Sequence, residues 1–160
     1  MRLILAAIGK LKYGPEQELV DRYLKRCRSG LKAAGFGQLD ILELPESRKP
    51  DSAQRQEEEA SRLLERLPDD CRLMIFDEQG DTPSSQQFSK LLAKLGQSGA
   101  GTLAIIIGGP DGVSPELRQH ADHVISFGQL TMPHQIVRAL VAEQIYRATT
   151  ILAGHPYHRE

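Results

Sequence analysis

Apolar and polar residues are grouped along the chain in blocks of two kinds. Short aliphatic runs without alternation are typical of strands buried on both faces of a parallel sheet. Longer stretches carry apolar residues three and four positions apart, which predicts amphipathic helices. The pattern predicts strands at residues 2–8, 39–44, 72–77, 103–107 and 123–127, and helices at 15–34, 52–67, 83–95, 115–121 and 133–152.

Strands and helices therefore alternate along the chain, with no repeat, low-complexity tract or internal linker between them. This order predicts an α/β fold with a mostly parallel sheet and helices on both faces. A chain of 160 residues is long enough to bury a core of its own. We expect a single domain over residues 1–160.

A glycine-rich loop, Gly108–Gly112, follows the fourth predicted strand. Glycine lets a backbone adopt positive φ and approach a ligand closely. Ser114 and Pro115 come next, and this pair is typical of a helix start. The arrangement predicts either a ligand site at the carboxyl edge of the sheet or a plain turn that needs glycine for its geometry alone.

Two further loops, at residues 76–80 and 127–132, also follow predicted strands and should lie at the same edge of the sheet. Together the loops offer glycine backbone, apolar side chains and one hydroxyl group, that of Thr131. This suits a ligand with a flat apolar part, such as adenine. The chain lacks G-x-x-x-x-G-K-[ST] and G-x-G-x-x-G, so a P-loop or dinucleotide site is disfavoured.

The net charge of −1 bears on possible partners. Proteins that bind naked nucleic acid through phosphates are usually basic, so any RNA contact requires a local basic patch or a protein partner. The first predicted helix carries the most cations, as either a solvated face or a phosphate-contacting surface: Lys25, Arg26, Arg28 and Lys32.

Compartment and metal content can also be predicted. No apolar run approaches the roughly 20 residues that cross a bilayer, and no small-residue cleavage site follows the apolar start. We therefore expect a cytoplasmic protein without a membrane segment. Cys27 and Cys71 are isolated, and His155 and His158 lack acidic partners at a suitable spacing, so no metal site is expected.

The last six residues contain polar and aromatic side chains that are common in catalytic sites: His155, Tyr157, His158, Arg159 and Glu160. A histidine with a pKa of about 6.5 is mostly neutral at pH 7 and can accept a proton. Chain ends are also the usual place for frayed polar residues. The sequence leaves both interpretations open.

Five sequence segments of this chain form a combination that is specific, although each alone would be a weak motif. They are Ala7–Lys12, Ile107–Gly112, Leu130–His134 with Val137 and Arg138, Glu143–Ala148 and Tyr157–Glu160. In these segments, and in length, the chain resembles the ribosomal large-subunit methyltransferase H family, which belongs to the SPOUT class. The resemblance covers the whole chain. It implies a C-terminal trefoil knot, which no periodicity argument predicts because true knots are rare.

The resemblance also implies an activity. The expected enzyme is a homodimer that uses S-adenosylmethionine to methylate N3 of a pseudouridine in 23S rRNA on the assembled ribosome. The cofactor would be bound by Phe76, Gly108, Phe127, Gly128, Gln129, Leu130, Thr131 and Met132.

A catalytic hypothesis follows for the remaining segments of the resemblance. N3 carries a proton, and we expect His158 to accept it. Arg138 and Arg159 would stabilise charge on the flanking carbonyl oxygens or hold phosphate. Tyr157 would stack on the base.

Other functions stay open at this point. The same fold could methylate a tRNA or another rRNA site. It could serve as a non-catalytic module that binds ribosomes. A small-molecule enzyme using another nucleotide is disfavoured because the phosphate-binding motifs are absent.

Overall fold

Five parallel strands form one sheet in the computed structural model, which describes residues 1–99 and 101–158. The spatial order is β2-β1-β4-β3-β5. The strands are β1 (Arg2–Ile8), β2 (Gln38–Leu44), β3 (Arg72–Asp81), β4 (Thr102–Ile107) and β5 (His123–Ile125). The helices are α1 (Pro15–Gly30), α2 (Ser52–Leu64), α3 (Ser85–Gln97), α4 (Pro115–His120) and α5 (His134–Leu152).

Helices cover both faces of the sheet, so the predicted α/β class and parallel pairing are confirmed. One apolar cluster joins the sheet to α1, α3 and α5, and a second joins its other face to α2 and α4. The central strand β4 is buried at every residue. Helices cover both of its faces, and this explains why its run of apolar residues is unbroken.

Helix α2 differs from its sequence pattern at three positions. Helical spacing predicts an inner stripe of Ala53, Ala60, Leu63, Leu64 and Leu67, but Ala53 and Leu64 are exposed, Leu64 by 46%. The acidic run at residues 57–59 predicts a solvated face, yet Glu59 is only 4% exposed. Its carboxylate accepts a hydrogen bond from the backbone N–H of Ser47 at 2.7 Å, which compensates part of the cost of burial.

Helix α5 differs from its sequence pattern in a similar way, because helical spacing predicts an inner stripe that includes Ile136. Ile136 is 40% exposed, whereas Arg138 is 2% exposed. Apolar side chains lie on several sides of this helix, so periodicity defines its inner face poorly.

The chain crosses itself closely where β3 meets β5. Phe76 and Asp81 both pair with Ile125, so the residues between them loop out of the ladder. A Cβ atom on Gly80 would lie 2.6 Å from backbone atoms of Val124 and Ile125. Only glycine fits without a backbone shift, and this crossing fixes the loop at the carboxyl end of β3.

We expect Gly80→Ala to destabilise the protein, because the added methyl group forces the two backbone segments apart. Overpacking of this kind costs about 1–3 kcal/mol, which lowers the Tm of a chain of this length by about 3–10 °C. Thermal unfolding followed by circular dichroism measures the change. Gly37→Ala is the control, since a Cβ there comes no closer than 3.8 Å to its nearest neighbour. Equal melting temperatures for the two variants would contradict the crowding argument.

Candidate active site

A cavity of about 430 Å³ opens where the looped-out segment of β3 meets the loops after β4 and β5. The expectation that these loops share one edge of the sheet is confirmed. Of the eight residues predicted to bind cofactor, Gln129 alone does not line the cavity, and the other seven do: Phe76, Gly108, Phe127, Gly128, Leu130, Thr131 and Met132.

Two aromatic rings form one wall of this cavity. The rings of Phe76 and Phe127 are stacked, with centroids 5.1 Å apart and planes inclined by 26°. Phe88 of α3 supports Phe76 from behind with an edge-on contact at 6.0 Å. A wall held in this way offers a flat, preorganised surface to a flat ligand.

Backbone atoms of the glycine loop form a second wall. A Cβ on Gly108 would lie 2.7 Å from the carbonyl carbon of Gly112, so the loop closes on itself too tightly for any side chain there. The N–H of Gly112 donates to the carbonyl of Gly109 at 2.9 Å, and Gly112 has a φ of 78°. This glycine loop is therefore a compact turn that also lines a cavity.

The rim of the cavity carries polar side chains to which the sequence analysis assigned no role. Arg118 of α4 donates to Asp77 at 3.0 Å and to Gln79 at 3.2 Å. Asp77, Glu78 and Gln79 belong to a loop that the sequence placed at this edge. Nothing in the sequence indicated that Arg118 lies at this edge, because its contacts with Asp77 and Gln79 depend on the orientation of the short helix α4.

Helix α2 holds the glycine loop in place. The Arg55 guanidinium donates to both carboxylate oxygens of Asp111, at 2.7 and 3.0 Å. This neighbour lowers the pKa of the Asp111 carboxyl. Gln56 donates to the Asp111 carbonyl, and Arg55 also donates to the carbonyls of Lys49 and Pro50. The loop before α2 and the glycine loop are thus tied to the same side chain.

Arg138 lies away from the cavity, buried at the ends of β1 and β2. Its guanidinium forms an ion pair with Glu43 and donates to the carbonyls of Ile8 and Gly9, the latter at 2.8 Å. The Glu43 carboxylate also accepts from the N–H of Leu11 at 3.2 Å. This placement favours a positioning role for Arg138 over the direct substrate contact predicted from the sequence.

A histidine that the sequence analysis left without a role faces the cavity. His134, the first residue of α5, lines it, and its Nε2 lies 3.9 Å from the Glu46 carboxylate. His134 belongs to the Leu130–His134 segment quoted for the family resemblance. That segment is the feature of the sequence that could have indicated a role for this histidine.

The described part of the tail packs on the last turns of α5. Tyr157 donates to the Glu143 carboxylate at 3.1 Å, and its ring lies 4.7 Å from that of Tyr146. Arg147 donates to Nδ1 of His158 at 3.3 Å and pairs with Glu143 at 2.5 Å. Burial and the Glu143 carboxylate raise the pKa of the Tyr157 hydroxyl. Arg159 and Glu160, which include one predicted catalytic residue, lie outside the described residues.

The tail and the cavity occupy opposite ends of α5. Val137 lines the cavity, whereas Arg147 contacts His158. Ten residues of helix separate them, which corresponds to about 15 Å along the axis. The structure therefore gathers the predicted cofactor residues at one place and holds Tyr157 and His158 at another.

A family model described as "Predicted SPOUT methyltransferase" matches residues 1–158. The chain belongs to this SPOUT methyltransferase family. The resemblance found from the sequence motifs is thereby confirmed.

Curated relatives match the SPOUT methyltransferase over its full length. Three examples, from different bacteria, share the name Ribosomal RNA large subunit methyltransferase H. The protein from Bradyrhizobium diazoefficiens is 48% identical over 159 residues, covering 99% of each chain. The one from Methylocella silvestris is 47% identical over 160 residues, covering 100% of each, and the one from Bartonella henselae is 46% identical over 159 residues, covering 99% of each.

Within residues 1–99 and 101–158, no helix of the SPOUT methyltransferase has the length and apolar character that crossing a membrane requires. In the same residues, no three His, Cys, Asp or Glu side chains are grouped closely enough to hold a metal ion.

We expect Arg138→Met to destabilise the fold by about 2–4 kcal/mol, because it leaves Glu43 and two backbone carbonyls without their buried donor. Chemical denaturation with urea measures this loss. Arg2→Met is the control: its ion pair with Asp40 is more exposed, and such pairs contribute less than about 1 kcal/mol. A similar loss in both variants would show that Arg138 has no special structural role.

Proposed function

We propose that this SPOUT methyltransferase transfers a methyl group from S-adenosylmethionine to N3 of a pseudouridine in 23S rRNA, acting on the assembled ribosome. The main support is the pairing of the aromatic and glycine-walled cavity with full-length identity of up to 48% to proteins named Ribosomal RNA large subunit methyltransferase H. A ribosomal substrate places this reaction in the cytoplasm.

The lining of the cavity fits the cofactor in size and chemistry. Ligand pockets for molecules of this size typically measure about 300–1,000 Å³. The stacked rings of Phe76 and Phe127 offer a surface for the adenine, and the backbone of residues 108–112 and 127–132 can recognise its polar edges. Glu78 at the rim suits a cationic ligand, whereas Asp77 is already paired with Arg118. When bound, S-adenosylmethionine supplies a methyl group activated by a positively charged sulfur.

Transfer to N3 requires a proton acceptor and correct alignment. The cavity walls would hold the donor rigidly, so that the attacking nitrogen and the methyl carbon lie in line. N3 is a weak acid and must lose its proton to attack. We assign that proton to His158, assign base stacking to Tyr157, and assign the developing negative charge to Arg159.

This assignment requires a second copy of the chain. His158 contacts Arg147, about 15 Å along α5 from Val137 in the cavity wall, and Tyr157 contacts Glu143, about 9 Å from it. The outer side of α5 carries the exposed Ile136 and other incompletely buried apolar residues, which suits contact with another helix. We propose a homodimer in which the tail of one copy completes the cavity of its partner.

The trefoil knot implied by the resemblance is part of the same proposal. Family membership supports it.

The direct test is transfer of labelled methyl from S-adenosylmethionine to ribosomes that lack the modification. We expect label on intact ribosomes, little on free 23S rRNA, and mapping to N3 of a single pseudouridine. His158→Ala should lower the rate by roughly 10²–10⁴ without changing cofactor affinity, since general-base catalysis contributes about that factor. Label on tRNA instead, or at another rRNA nucleotide, would overturn the proposed target.

Cofactor affinity tests the aromatic wall separately. We expect Phe127→Ala to raise the Kd for S-adenosylmethionine roughly 10- to 100-fold, the usual consequence of losing a large apolar contact. Isothermal titration calorimetry gives the value. Gln129→Ala, in the same loop but outside the cavity lining, should bind as tightly as the wild type. An unchanged Kd for Phe127→Ala would remove this wall from the cofactor site.

Mixed dimers test whether the tail acts in the partner's cavity. Coexpression of Phe127→Ala and His158→Ala chains forms dimers in which one cavity and one tail are intact. If the tail acts in the partner, random pairing should restore about a quarter of wild-type activity, because half the dimers each hold one complete site. Activity no higher than the sum of the two separate variants would show that each tail serves its own chain.

A further inference from the structure

We infer that a basic rim beside the cavity binds the RNA strand that carries the target nucleotide. The basic rim consists of Lys10, Lys12 and Tyr13 in the loop after β1, and of Arg48 and Lys49 in the loop after β2. This inference rests on the proposed function and names the surface by which that substrate is held.

The two loops of the basic rim leave the sheet side by side and border the cavity. Strands β1 and β2 are parallel neighbours, and Gly9 N–H donates to the Leu44 carbonyl at 2.7 Å just where both strands end. A Cβ on Gly9 would lie 3.5 Å from Nε2 of His134, which lines the cavity. A strand lying across the rim would therefore continue into the cavity.

The cations of the basic rim are available to a ligand. All four are exposed, and none forms an ion pair with another residue in the described part of the chain. Several carboxylates lie nearby. Glu58 and Glu59 accept from the side chain and the backbone N–H of Ser47, and Asp51 caps α2. Glu43 is neutralised by Arg138, and Glu46 faces His134 at 3.9 Å. This is a local positive patch on a chain of net charge −1, the feature that RNA binding requires here.

Tyr13 gives the basic rim a second property. Its side chain is 89% exposed, the highest value among the large hydrophobic residues. An aromatic ring projecting between cations is the usual platform for an unpaired base, because the ring stacks while the cations bind phosphates.

Both loops are fixed at the backbone while their charged side chains extend into solvent. Leu11 N–H donates to Glu43, which Arg138 holds. In the second loop, Ser47 N–H donates to Glu59, and Arg55 donates to the Lys49 carbonyl. Fixed backbones reduce the entropy lost on binding, so the buried polar network behind the loops contributes to RNA affinity.

The cations of α1 are a poorer candidate for the same role. Lys25 and Lys32 lie in and just after the second half of α1, which runs back toward the amino edge of the sheet. The hydrogen bond from Gly37 N–H to the Met1 carbonyl places the end of this segment at that edge. These lysines therefore lie at the end of the molecule opposite the cavity, and they provide a matched control.

The test measures binding to ribosomes that lack the modification, by cosedimentation with S-adenosylhomocysteine present. We expect Lys10→Gln/Lys12→Gln to weaken binding and to reduce the slope of log K against log salt by about 1.4–1.8, for two lost phosphate contacts. Tyr13→Ala should weaken binding roughly tenfold with little change in slope. Lys25→Gln/Lys32→Gln should bind as the wild type does, and all variants should keep their Kd for S-adenosylmethionine.

Several results would overturn the inference. They are wild-type affinity in the Lys10→Gln/Lys12→Gln variant, an equal loss in the Lys25→Gln/Lys32→Gln control, and failure of the wild type to bind ribosomes. A change in oligomeric state by sedimentation velocity would assign the rim to the contact between copies instead. The wild type could also bind ribosomes through the rim without transferring methyl to any ribosomal nucleotide. That result would support the role of the rim in RNA binding and overturn the proposed reaction.

Discussion

Close approach of backbones at the carboxyl edge of the sheet is the constraint on which the rest of this structure depends. Gly80 meets the backbone of β5, and Gly108 meets that of Gly112, at distances that leave no room for a Cβ. These contacts bring the looped-out segment of β3 and the loops after β4 and β5 together around one cavity. The backbone therefore encloses the cavity, and the side chains line it. For this reason apolar walls and main-chain groups dominate the site.

Polar links transmit this rigidity to the neighbouring loops. Arg138 ties the end of β1 to Glu43 of β2, and Arg55 ties the glycine loop to the loop before α2. Breaking the Arg138 link leaves a buried carbonyl without a partner, so this link resists local opening more than an exposed ion pair does. The fold thus holds cofactor loops and rim loops as one unit, although they belong to all five strands.

The order of elements and most cavity residues could be predicted from the sequence, because strand burial and loop glycines leave strong local signals. Long-range pairing of charged residues leaves none. Glu59 lies in an acidic run that is typical of a solvated face, and no local pattern indicates that Arg138 is buried. Both are nevertheless buried by partners elsewhere in the sequence. Arg118 entered the site for the same reason. The predictions therefore failed mainly where a polar side chain is used inside the protein, since periodicity assigns such residues to the surface.

The position of the tail bears on why the site would be divided between two chains. In the described structure, Tyr157 and His158 have partners of their own on α5, Glu143 and Arg147. A tail that acts in a partner's cavity must exchange these contacts for contacts with substrate. That exchange is favourable only when cofactor and RNA are both in place, because two hydrogen bonds contribute only about 1 kcal/mol each and are weak compared with a filled site. On the proposed mechanism, proton acceptance at N3 would then be coupled to substrate binding, since the base reaches the cavity only when there is a nucleotide to receive it.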